Sequence, residues 1–290
     1  MIPAAFDYHA PGTLEEAIGL LQRHGEGAKV LSGGQSLLPL LKIRLGYADH
    51  LIDIGHIPGL DYIKEADGFL RIGAATREAE LERSDLVRTK YPILFDTAAV
   101  IADPLVRNRA TVGGNLAHGD PANDHPATML AVRAQVVARG PKGERTIPID
   151  DFFVSLFTTA LQPTEVLTEI RVPVPAPKSG GAYVKLERKV GDFATAGVAV
   201  QLTLGKKGDI AEIGIGLTNA GPKPVRAVEA EKLLKGKTPD AATLTEAATL
   251  AGKAGNPSAD RRGSVEYKQQ MARVLTGRAL AKALERAGGK

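Results

Sequence analysis

Two segments of this chain carry residues whose types and spacing suit an anionic ligand. The first is Ser32-Gly33-Gly34-Gln35-Ser36-Leu37-Leu38-Pro39 and the second is Arg107-Asn108-Arg109-Ala110-Thr111-Val112-Gly113-Gly114-Asn115. Each has adjacent glycines flanked by hydroxyl and amide side chains, and each follows an apolar stretch. Adjacent glycines tolerate positive φ and let the backbone approach a ligand with no Cβ in the way. Successive free N–H groups in such a turn form a concave anion site. One glycine pair alone reads as a structural turn. Two pairs, with hydroxyls at Ser32, Ser36 and Thr111, suit the diphosphate of an extended dinucleotide. Neither segment contains the G-x-G-x-x-G of a Rossmann turn. Lys235-Gly236-Lys237-Thr238 ends like a P-loop, but Glu231 stands where the leading glycine belongs. That run reads as an exposed interhelix turn.

A second polar segment is His118-Gly119-Asp120-Pro121-Ala122-Asn123-Asp124-His125. Its spacing matches no H-E-x-x-H or comparable metal pattern. The favoured reading is a polar loop whose Asn123 and Asp124 hydrogen-bond ligand hydroxyls. The chain has no G-x-S-x-G elbow and no histidine set up by sequence as a general base. Redox chemistry here would therefore be carried by a cofactor. With no cysteine among the 290 residues, thiol chemistry and Cys-ligated zinc or iron–sulfur centres are excluded.

The elements that must position these segments follow from pattern. Thr13-Leu14-Glu15-Glu16 is a capping box, and Ala17, Ile18, Leu20 and Leu21 then share one helical face that Gly25 or Gly27 ends. Lys29–Leu31 is a short strand entering the first glycine loop, and Leu51–Ile54 is another. Tyr62–Ile72 reads as a hairpin turning at Asp67-Gly68, and Val136–Ile147 as a second hairpin. Thr76–Arg83 and Pro92–Ile101 read as helices, and Val166–Val172 as a strand. Pro173-Val174-Pro175-Ala176-Pro177-Lys178-Ser179-Gly180-Gly181 is the best linker. Beyond it come strands at Ala182–Arg188, Gly197–Leu204 and Ile210–Thr218, then helices near Val225–Leu234, Ala241–Ala254 and Val265–Arg286. The order is α+β. A net charge of only +4, spread along the chain, and 4% aromatic residues argue against nucleic-acid binding. The first residues lack a basic n-region and an apolar h-region, so no signal peptide is expected. No run approaches the ~20 apolar residues of a membrane span.

The two glycine motifs at this separation resemble the paired FAD-binding motifs of the medium subunits of aerobic, molybdenum-containing carbon monoxide dehydrogenases and the xanthine dehydrogenase family. Phe6-Asp7-Tyr8, Glu165-Val166-Leu167-Thr168-Glu169-Ile170 and Asp192-Phe193-Ala194-Thr195-Ala196 are also similar to that family. The resemblance implies a two-lobed FAD-binding module of the vanillyl-alcohol-oxidase (PCMH) type over residues 1–176. Over 177–290 it implies a carbon monoxide dehydrogenase flavoprotein C-terminal domain, a three-stranded antiparallel sheet with a helical bundle. It further implies that Lys29, Val30, Leu31, Ser32, Gly33, Gly34, Gln35, Ser36 and Leu37 wrap the FAD pyrophosphate. Thr111, Gly113 and Gly114 would hold it from the other side, with Asn115 nearby. Asp124 would bond a cofactor hydroxyl, with His118 and Asn123 lining the site. Ile101 and Ala110 would pack on the cofactor, and Leu161 and Lys185 would approach it from later segments. Phe193 replaces a frequent tyrosine beside the isoalloxazine, either altering flavin tuning or merely packing. No metal is expected in this chain. The implied partners are a molybdenum-cofactor large subunit and a [2Fe-2S] small subunit, as a dimer of heterotrimers, with an external electron acceptor. The implied setting is cytoplasmic, with membrane-peripheral association through partners left open. A stand-alone flavin oxidase and a scaffold that has lost FAD are the alternatives.

Overall fold

The computed structural model describes residues 2–288. It begins with a short strand, β1 (Asp7–His9), and the expected capped helix, α1 (Leu14–His24). The Glu16 backbone N–H donates to Thr13 Oγ1 at 3.2 Å, and the Glu16 carboxylate reaches back to the Gly12 N–H at 2.8 Å. Gly25, with φ of 57°, caps the other end. There follow β2 (Ala28–Leu31), α2 (Leu37–Lys42) and β3 (His50–Asp53). The three strands form a small parallel sheet in the order β1-β3-β2, with α1 packed over it. This is the first lobe.

The second lobe opens with the hairpin β4 (Ile63–Ala66) and β5 (Phe69–Gly73). Six helices follow: α3 (Glu78–Arg83), α4 (Asp85–Lys90), α5 (Pro92–Ala99), α6 (Pro104–Arg107), α7 (Val112–His118) and α8 (Asp124–Ala131). Then come β6 (Gln135–Gly140), β7 (Gly143–Pro148), the single turn α9 (Ile149–Phe152), the small hairpin β8 (Phe153–Ser155) and β9 (Thr158–Thr159), and β10 (Val166–Pro173). Strand β10 is the centre of a five-stranded antiparallel sheet, β4-β5-β10-β6-β7. Its position explains why five of its residues in a row, Val166–Ile170, are buried. The second glycine segment is not a loop with positive φ, as its composition suggested. Thr111 is the N-cap of α7, and Gly113 and Gly114 lie inside that helix's first turn.

The C-terminal part holds β11 (Ser179–Leu186), β12 (Ala196–Leu204), β13 (Ile210–Thr218) and β14 (Val225–Arg226) in an antiparallel sheet, followed by α10 (Val228–Leu234), α11 (Ala241–Lys253) and α12 (Val265–Arg286). The sheet has four strands rather than the expected three. Val225 and Arg226, expected to begin a helix, instead pair with Leu217 and Gly216. This pairing sends the Arg226 guanidinium to Asp150 at 2.6 Å and Glu231 at 3.1 Å, so the helix starts only after Ala227. Gly236, with φ of 76°, makes the turn after α10.

One face of this sheet packs on α12 and the other receives α8 from the second lobe. All eight residues of α8 are buried. The approach is close because β13 presents Gly214 and Gly216 on the same face. A Cβ at Gly216 would sit 1.9 Å from the Ala127 carbonyl oxygen, and one at Gly214 would sit 2.0 Å from that of Ala131. Backbone atoms cannot yield as side chains do, so Gly216→Ala should destabilise the protein by about 3 kcal/mol through overpacking. Gly208→Ala, at a turn with φ of 81° and open space around it, should cost about 1 kcal/mol for its left-handed backbone alone. Urea unfolding of the two variants measures the difference.

Candidate functional site

The strand β2 delivers the chain into Ser32-Gly33-Gly34-Gln35-Ser36, the connection to α2. Gly33 and Gly34 have φ of 75° and 77°, the left-handed region that favours glycine. No N–H of residues 33–36 donates to a protein acceptor among the described residues. Four consecutive amides are thus free to face a ligand. Gln35 is exposed and Ser36 half-buried, and the Ser36 hydroxyl makes no capping bond to α2. Lys29 is exposed on β2, while Val30, Leu31 and Leu37 pack on the first lobe's core.

The second segment meets the first directly, across 79 residues of sequence. Ser32 Oγ and Thr111 Oγ1 are 2.9 Å apart, and Thr111 Oγ1 donates to the Ser32 carbonyl at 3.3 Å. A Cβ on Gly33 would lie 2.1 Å from the Arg109 carbonyl oxygen, and one on Gly114 would lie 3.0 Å from that of Ser32. The two motifs are therefore two sides of one junction between the lobes. Their amides are used differently. Those of α7 turn inward: Val112 N–H donates to Thr76 O and Gly113 N–H to Ala74 O, both at 3.0 Å, and Gly114 N–H donates to Thr111 Oγ1 at 3.2 Å. The free donors come from residues 33–36 alone. Asn123 Nδ2 donates to the Asn115 carbonyl at 3.0 Å, and the buried Asn115 Oδ1 has no partner. His118 packs against Phe157 with ring centroids 5.0 Å apart, and burial holds its imidazole below the usual pKa.

Asp124 is held by side chains of the C-terminal sheet. Both carboxylate oxygens are engaged by β11: Tyr183 OH donates to Oδ1 at 2.6 Å and Lys185 Nζ to Oδ2 at 3.0 Å. Burial pushes this carboxyl up, against the opposing pull of Lys185 and the Tyr183 hydroxyl. Asp124 thus ties α8 to β11. Tyr183 also reaches Thr218 Oγ1 at 3.1 Å. Sequence reasoning missed Tyr183 and Thr218, since neither lies in a recognisable motif.

Lys185 also donates to the Val100 carbonyl at 2.9 Å, beside buried Ile101. The Arg107 guanidinium binds the next carbonyl, Ile101 O, at 3.0 Å while paired with Glu82 at 2.8 Å. A Cβ at Gly191 would lie 3.3 Å from Ala102. Thus Ile101, Lys185 and the loop bearing half-exposed Phe193 form a second cluster, joined to the glycine junction by residues 101–111. Asp192, held between Arg262 and Arg188 with its pKa lowered to about 2, anchors that loop. Ala110 is half-buried at the junction, and Leu161 is partly buried against the second lobe's core.

These residues fit the diphosphate and hydroxyl groups of FAD. The positive-φ cradle, its four free amides and the orphaned Asn115 Oδ1 are the donor and acceptor set such a cofactor needs.

Comparison with known proteins agrees. Residues 4–175 match the family described as the FAD binding domain in molybdopterin dehydrogenase, and residues 181–283 match the CO dehydrogenase flavoprotein C-terminal domain. The carbon monoxide dehydrogenase medium chain of Hydrogenophaga pseudoflava is 46% identical over 97% of each chain. Subunit alpha of the 6-hydroxypseudooxynicotine dehydrogenase complex of Paenarthrobacter nicotinovorans is 39% identical, covering 99% of this chain and 97% of its own. A solved carbon monoxide dehydrogenase from Hydrogenophaga pseudoflava, lacking the Mo-pyranopterin moiety, superposes with a TM-score of 0.96 at 47% identity over 99% of each chain. The chain belongs to the family of FAD-binding medium subunits of molybdenum-containing, carbon monoxide dehydrogenase-type oxidoreductases.

Proposed function

We propose that this protein is the flavin subunit of a three-chain molybdenum hydroxylase, passing electrons from an iron–sulfur partner to an external acceptor. The observation that carries this is the set of four free amides at 33–36, held in place by the second lobe. In this reading residues 33–36 bind the diphosphate, and Ser32 and Thr111 fix the cradle. Asn115 offers its orphaned oxygen to a cofactor hydroxyl, while His118 and Asn123 line the site. Ile101 and Phe193 flank the flavin ring. Bound there, FAD supplies the one- and two-electron redox chemistry that the chain's own side chains lack. The chain has no cysteine to hold a cluster, so electrons must come from another subunit. Relatives named for carbon monoxide and for 6-hydroxypseudooxynicotine align with this chain over nearly their whole length, which fits a substrate pocket lying on a partner chain. We further propose a boundary near residue 176, a dimer of heterotrimers and a cytoplasmic setting. No helix among the described residues is long and apolar enough to cross a membrane.

Absorbance after incubation with FAD and gel filtration tests the reading. The wild-type chain should retain flavin in near-stoichiometric amount, and Gly34→Val should lose it while remaining folded by circular dichroism. Thr111→Val removes both the α7 cap and the Ser32 contact. At about 1.4 kcal/mol of lost organisation, FAD affinity should fall about tenfold, read by flavin fluorescence titration. Asp124→Asn leaves the Lys185 ammonium buried without its main counter-charge. Chemical denaturation should show a loss of about 3 kcal/mol, with FAD stoichiometry unchanged. Loss of flavin without loss of stability would instead make Asp124 a cofactor ligand.

A further inference from the structure

Three histidines that the flavin site does not use converge in the first lobe. His9 ends β1, His24 ends α1 and His50 opens β3. His9 Nε2 and His50 Nδ1 are 3.2 Å apart, though 41 residues separate them in sequence. The His24 and His50 rings lie 3.8 Å apart between centroids, and His9 and His24 lie 5.2 Å apart. One ring nitrogen from each falls within 4.8 Å of the other two. All three side chains are half-buried and reachable from solvent. His50 pairs with Ala28, at the end of β2 away from the glycine cradle, so this cluster is separate from the flavin site.

Three imidazoles brought this close, with few competing charges beside them, are good ligands for a metal. The one carboxylate in contact is Asp7, 3.4 Å from His50 Nδ1. Neutral imidazole nitrogen is the preferred ligand of borderline divalent ions. Zn–N bonds of about 2.0–2.1 Å put tetrahedral ligand nitrogens ~3.3 Å apart, so closing this cluster takes only small ring rotations. The C-terminal carbonyls of α1 add a negative potential beside His24.

We propose that His9, His24 and His50 form a three-imidazole site for Zn²⁺ or a similar divalent transition-metal ion. The fourth position is open to water or to the Asp7 carboxylate, 3.4 Å from His50 Nδ1. The ion ties β1, α1 and β3 together and so braces the lobe that carries the glycine cradle.

The test uses untagged, FAD-loaded protein stripped with a chelator and titrated with Zn²⁺ alone in a calorimeter. One saturable site per chain is expected, with an unfolding temperature that rises with free zinc. Co²⁺ in place of zinc should give visible d–d bands. His24→Ala and His9→Gln should each abolish the site and the bands while retaining FAD, which certifies their fold. His56→Ala, at an exposed histidine outside the cluster, should leave binding intact. Should His24→Ala fail to hold FAD, His24→Gln takes its place in the same measurements. Absence of saturable micromolar binding by the wild type would overturn the proposal, as would a site that persists in both cluster variants.

Discussion

The contact on which the architecture rests is the close approach of Gly33 to the Arg109–Thr111 backbone. The free donors all belong to the first lobe, and the second lobe's backbone packs against the turn that carries them. The first lobe contributes a positive-φ turn that would be loose by itself. The second supplies a wall of backbone, with Thr111 Oγ1 contacting Ser32 through both its hydroxyl and its carbonyl. A side chain at 33 would separate the lobes before it touched any ligand. The glycine is therefore required by the protein as much as by what the protein binds.

The two glycine motifs look equivalent in sequence and do unequal work. Residues 33–36 keep their amides free, whereas α7 uses its own on Ala74, Thr76 and Thr111. The glycines at 113 and 114 let the helix press against Ala74 and Ser32 and act as a rigid backstop. Asp124 behaves comparably. It binds Tyr183 and Lys185, bringing β11 up to the segment that begins at Val100. Much of what surrounds the cradle thus serves to hold it still.

What the sequence reveals is what short-range physics decides. The capping box at Thr13–Glu16 and the hairpins at 67–68 and 140–143 are encoded within a few residues each, and the structure follows them, whereas the linker read over 173–181 shrinks to 174–178 because Pro173 ends β10 and Ser179 opens β11. Both glycine motifs announce a ligand through composition and resemblance. The helical state of Gly113 and Gly114 was hidden because adjacent glycines look like a loop until Thr111 is recognised as a cap. Strand β14 was hidden because two residues carry no periodicity and gain their pairing only from β13. The Asp124–Tyr183–Lys185 lock and the histidine cluster join residues from distant elements, with no spacing rule to betray them.

Helix α8 gives the chain a hidden continuity. It belongs by sequence to the flavin-binding half, yet it is wholly enclosed with the C-terminal sheet against one of its sides. Cutting the chain in the proline-rich passage would leave each fragment with a bare apolar wall, so the two halves are modules of ancestry more than of folding. Recombination between relatives must respect this. A transplanted C-terminal half meets a foreign α8, and only a graft in which helix and glycine-bearing strand travel together keeps the groove and its occupant matched.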